Sequence, residues 1–95
     1  MVVGVLSVQA MLHGPESLKD KRRIVRSALA KVQNRFNVSA AEVAHQDQWR
    51  RAGLGFCCVS NEAGHADSML SSVLDFLESD PEMEIVDVAT EVIHI

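Results

Sequence analysis

Aromatic residues are scarce in this 95-residue chain: three phenylalanines, one tryptophan and no tyrosine. Few rings are therefore to hand for a base-stacking surface. Cysteine is confined to the adjacent pair Cys57 and Cys58. Neighbours in an extended strand point to opposite faces, so bridging them would strain the backbone; two buried free thiols in a reducing compartment are expected. The apolar runs fall well short of the roughly 18–20 residues that span a bilayer, so no membrane partner is expected. Met1-Val2-Val3-Gly4-Val5 has no basic leader and no small-residue cleavage site. It does not read as a signal peptide, and a cytoplasmic location is expected. None of G-x-x-x-x-G-K-[ST], G-x-S-x-G, H-E-x-x-H or G-x-G-x-x-G occurs, and nothing orders the serines, histidines and aspartates as a triad. No catalytic residue and no cofactor is assigned.

Basic residues are also missing from nearly half of the chain. All nine lie between Lys19 and Arg51, and residues 52–95 hold nine acids without a lysine or arginine. Residues 1–51 carry a net +5 and the remainder −9, so the total of −4 conceals a strong polarity. Asymmetry of this kind hints at a charged partner.

What is present fits one small domain spanning residues 1–95. Residues 2–12 alternate, with Val2, Gly4, Leu6, Val8, Ala10 and Leu12 on one face, and predict a strand. His13-Gly14-Pro15 breaks it. Ser17 and Asp20 suit a capping box, and Leu18, Ile24, Val25, Ala28, Leu29, Val32 and Phe36 recur at helical spacing. This predicts a helix running to about Arg35, with Asn37 suited to its end. Val38–Ala44 reads as a short strand, His45–Arg50 as a polar turn, and Ala52–Ser60 as a third strand with Leu54, Phe56 and Cys58 on one face. Ser60 or Asn61 can cap a second helix, which Asp80-Pro81 ends. Glu84–Ile95 reads as a last strand with Val86, Val88 and Val92 on one face. The order β-α-β-β-α-β predicts an α+β ferredoxin-like sandwich: a four-stranded antiparallel sheet with two helices on one face. That topology brings the start of helix one to the loop between strands two and three.

The chemistry-bearing residues collect at that end. Lys19, Arg22, Arg23 and Arg26 fall at i, i+3, i+4 and i+7, a basic stripe away from the apolar face. Lys21 lies at the edge of the apolar face, where it is expected to snorkel. A solvated face explains such a stripe, and so does an anion site at a helix N-terminus. The hairpin adds Trp49, Arg50 and Arg51, a ring and two guanidiniums of the sort that contact RNA. Trp49 packed on the end of the core is the alternative. Glu42, His45 and Asp47 follow no metal-ligand spacing, and a hydrogen-bonded turn is expected rather than a metal site. An RNA-recognition sheet displays rings on its central strands; here the second face offers Val3, Val5, Ser7, Gln9 and Met11 beside Gly53, Gly55, Cys57 and Val59. That small, rather apolar face suits a partner sheet or helix.

Three segments carry a resemblance: Ser17-Leu18-Lys19-Asp20-Lys21-Arg22-Arg23, Arg35-Phe36-Asn37-Val38-Ser39 and Ala41-Glu42-Val43-Ala44-His45-Gln46-Asp47. With Val2-Val3-Gly4-Val5-Leu6 and Val59-Ser60-Asn61 they resemble the YlxP-like proteins, a bacterial family of unknown function (domain of unknown function 503). The resemblance covers nearly the whole chain. It implies a ferredoxin-like fold and a protein encoded beside transcription and translation factors, including a ribosome-binding factor. Gln48 departs from the pattern, which favours an apolar residue before Trp49. The function expected is a non-enzymatic RNA- or ribosome-associated accessory protein that binds phosphate through Lys19–Arg26 and the hairpin. The alternatives are a protein-interaction module that self-associates through its open sheet face or its oppositely charged ends, most simply as a dimer, and a small-ligand or metal sensor on the same scaffold.

Overall fold

Alternation along the first strand becomes strict alternation of burial. In a computed structural model, which describes residues 1–95, strand β1 (Val2–Leu12) buries every even-numbered side chain. Period-two burial of this kind follows from the pleat, which sends successive side chains to opposite faces. Strand β3 (Arg51–Ser60) answers it with Ala52, Leu54, Phe56 and Cys58, all buried.

Helix α1 (Leu18–Arg35) begins where Ser17 Oγ accepts from Asp20 N at 3.1 Å. The reciprocal bond is displaced by one residue, because Asp20 Oδ2 accepts from Glu16 N at 3.2 Å. The helix ends at Phe36, one residue before Asn37, because Phe36 turns extended and lays its ring edge-on to Phe76 at 5.9 Å. Strand β2 is Ser39–Ala44. Helix α2 (Ala63–Glu78) starts after Glu62, not at Ser60 or Asn61. Ser60 Oγ instead accepts from Glu62 N at 3.1 Å and holds the turn that precedes the helix. Strand β4 is Met83–His94.

The sheet order is β2-β3-β1-β4, antiparallel throughout, and both helices lie on the face that carries Leu6 and Phe56. This is the ferredoxin-like arrangement that the element order implies. Gly4 permits the close approach of α2: a Cβ there would meet Leu70 Cδ1 at 3.0 Å and Ala66 Cβ at 3.2 Å. Strand β4 departs from expectation. A register shift between Gln9 and Ala10 bulges it at Val86, so only Val88 and Val92 share the helix-side face, opposite Val8 and Gly4. The helices cover the middle of the sheet better than this edge, and Val88 remains 38 % exposed. Cys58 is buried as expected, but Cys57 lies half-exposed on the open face. No helix is long and apolar enough to cross a membrane.

Candidate functional site

The end of the molecule where α1 starts is organised by Lys21, and not as its sequence position suggests. Lys21 does not snorkel to solvent; it is fully buried. Its position, one turn before Val25 and two before Ala28, points the stem inward, and its ammonium reaches the β2–β3 turn. Lys21 Nζ donates to the His45 carbonyl at 2.6 Å and to the Gln46 carbonyl at 3.3 Å, and lies 2.7 Å from Glu42 Oε2. At the carboxylate the contact is an ion pair rather than a directed hydrogen bond, and that oxygen has no other polar partner. The ammonium thus faces two carbonyl oxygens and a carboxylate, which is what allows a charge to stay buried.

The turn is shaped around that ammonium. His45 takes a left-handed backbone (φ 60°), and its carbonyl also accepts from Gln48 N at 3.1 Å. The Gln48 side chain bonds His45 Nδ1 at 3.3 Å. Leu12 N donates to the Arg50 carbonyl at 2.9 Å and ties the far side of the loop to β1. With its carboxylate committed to Lys21, Glu42 faces inward, away from any grouping with Asp47.

Around this anchor, Lys19, Arg22, Arg23 and Arg26 are all exposed on α1. None has an acidic partner, since the chain's two ion pairs are Lys21–Glu42 and His13–Glu84. Their side chains and Asp20 border one half-open depression. A groove lined by Arg22, Arg26, Glu42 and Gln46 joins the stripe to the hairpin. Trp49 at the turn is 47 % exposed, so it is not packed on the end of the core, and Arg50 beside it is exposed as well. Arg51 is set apart. It pairs with Met11 and precedes the fully buried Ala52, so its side chain leaves from the sheet face opposite the helices. The structure thus brings the four α1 cations together, sets Trp49 and Arg50 at the same end, and turns Arg51 to the far face.

Two features escape a reading by charge and periodicity. One is the Lys21 anchor; its signal was present in Lys21 falling on the apolar stripe while Glu42 shares the inward side of β2 with Ala40. The other is Arg35, whose guanidinium carbon lies 5.1 Å from the Phe76 ring centre and 5.8 Å from that of Phe36. Only the tertiary fold brings those rings together.

Element order, sheet order and helix placement define a ferredoxin-like α+β domain with a cationic helix face at one end. The chain belongs to the DUF503 family, described as a protein of unknown function, whose model matches residues 3–90. It is 36 % identical over 90 residues to the uncharacterized protein YlxP of Bacillus subtilis (strain 168), a match covering 95 % of this chain and 98 % of that one. No enzymatic activity accompanies the family description.

Proposed function

We propose that this protein is a cytoplasmic, non-enzymatic accessory protein that binds RNA, on or near the ribosome, through phosphate contacts of α1. One observation carries the reading: Lys19, Arg22, Arg23 and Arg26 are exposed and unpaired in the first turns of a helix. Lys19 in the first turn opposes the helix macrodipole and none of the four gains an acidic partner, so fold stability does not account for them. A polyanion does, because each neutralised phosphate releases counterions. Trp49 and Arg50 extend the surface, and Arg51 contributes least because it leaves from the other face. The ribosomal setting rests on the family resemblance. The chain's acidity does not oppose the reading strongly: charges more than about 10 Å away are largely screened at 0.1 M salt.

Co-sedimentation with ribosomes, and anisotropy of a labelled ribosomal RNA fragment, at two salt concentrations test this. The wild type should bind more weakly at higher salt. The triple variant Arg22→Gln/Arg23→Gln/Arg26→Gln should bind less and lower the slope of log K against log salt by about 2, at roughly 0.7 per phosphate on single strands. Trp49→Ala should weaken binding with little change of slope, because stacking releases no counterions. Absence of binding at the lower salt, or an unchanged slope in the triple variant, overturns the reading.

A further inference from the structure

The helices cover one face of the sheet and leave the other bare. On the bare face Val59 is 67 % exposed, Val43 56 % and Ile93 39 %. Beside these projections lies a shallow hollow over Gly55, bordered by Val5, Ala41 and Cys57. A face that is apolar, bumpy and uncovered calls for an occupant.

We infer that the occupant is a second copy of this chain, packed sheet to sheet with the twofold axis parallel to β1. Area permits it. Four strands spaced about 4.8 Å, over eight residues of about 3.4 Å each, present roughly 500 Å² per copy. Two copies bury about 1,000 Å², the lower limit for a specific interface, and a weak dimer dissociating on the order of micromolar is expected.

Charge chooses the orientation. Acids on the bare face belong to β4: Glu84 opposite Met11, Asp87 opposite Gln9 and Glu91 opposite Val5. The one arginine is Arg51, at the start of β3 and also opposite Met11. With the order β2-β3-β1-β4, rotation about an axis along the strands lays β3 of one copy over β1 of the other. Arg51 then stands over Met11 of the second copy, one strand from Glu84, and the symmetry makes that pair twice. An axis across the strands would stack β4 on β4 and set acid against acid. Pairing two β4 edges opposes acids in the same way, and the bulge at Val86 interrupts that edge. The dimer is thus a four-layer α-β-β-α sandwich. It leaves both α1 stripes outside and at the same end, and it stands independently of the RNA reading.

Sedimentation equilibrium at about 100 µM, well above a micromolar dissociation constant, tests it. The wild type should approach twice 10.4 kDa. Val59→Glu, at an exposed site that folding does not need, should return the monomer mass with an unchanged circular dichroism spectrum. Arg51→Glu and Glu84→Arg should each dissociate the dimer, and the two together should restore it. Alkylation of wild-type Cys57, which lies on the face, should slow as the protein is concentrated. A wild type that stays at the monomer mass overturns the proposal. So does a dimer that survives Val59→Glu but is broken by Val88→Glu, since that places the contact at the β4 edge.

Discussion

Lys21 Nζ lies 2.6 Å from the carbonyl oxygen of His45, a residue held in the left-handed backbone region. One ammonium, on the fourth residue of α1, thus terminates a turn in a different hairpin. Lys21→Met keeps most of the buried stem and removes both hydrogen bonds and the ion pair. It leaves Glu42 without its cation and the Gln46 carbonyl without a partner, while the His45 carbonyl keeps only Gln48 N, so stability should fall by about 3–5 kcal/mol. Urea unfolding measures the loss. Adding Glu42→Leu should recover part of it, because removing both charges is less harmful than stranding one. A loss below about 1 kcal/mol in the single variant would show that the anchor is dispensable.

The two glycines of β3 should respond differently to alanine. A Cβ on Gly53 would lie 2.7 Å from Ala44 Cβ, with the Ala44 backbone at 3.3 Å, so nothing flexible can yield. Overpacking of this kind costs about 1–3 kcal/mol. At Gly55 the obstacle is Val43 Cγ1 at 3.1 Å, on an exposed side chain that can turn away. Thermal melts should place Gly53→Ala well below Gly55→Ala, which should stay close to the wild type.

The α1 stripe should be separable from folding. Arg22→Gln/Arg23→Gln/Arg26→Gln touches only exposed, unpaired side chains. Its melting temperature should stay close to the wild type's, because substitutions of exposed, unpaired side chains usually change stability by less than about 0.5 kcal/mol. Trp49→Ala should also leave the melt unchanged. If the triple variant unfolds, the stripe is structural and its loss of RNA binding carries no meaning.

Metal removal should be silent. Glu42 is occupied by Lys21, and no three His, Cys, Asp or Glu side chains are grouped to hold an ion. A chelator should leave the thermal midpoint where it is. A drop of several degrees would reveal a structural ion.

Much of the fold is legible in the residues because its signals are local. The even-numbered apolar series of β1 and the Leu54-Phe56-Cys58 series of β3 fix which face is buried. Ser17 with Asp20 marks the start of α1 within a residue. Legibility fails where a distant partner decides. Nothing near Val86 announces that β4 bulges there, because the shift depends on its fit against Gln9 and Ala10. Capping chemistry placed the start of α2 early because Ser60 serves the turn instead. At the site, helical spacing grouped Lys19, Arg22, Arg23 and Arg26, whereas the hydrophilic reputation of lysine hid Lys21. The β-α-β-β-α-β topology groups Arg51 with them through the hairpin, and strand alternation turns its side chain to the other face.

The Lys21 anchor also orders events in time. The tip of the β2–β3 hairpin takes its shape from a residue 24 positions earlier, on an element that must first become helical and dock. Local strand pairing can therefore zip the hairpin only as far as its tip. The tip itself should settle late, after the main barrier, so substitutions at Gln46 or Gln48 should speed unfolding while hardly slowing refolding. In amide exchange the same tip should open together with the first turns of α1, as one cooperative unit that joins the helix and the hairpin.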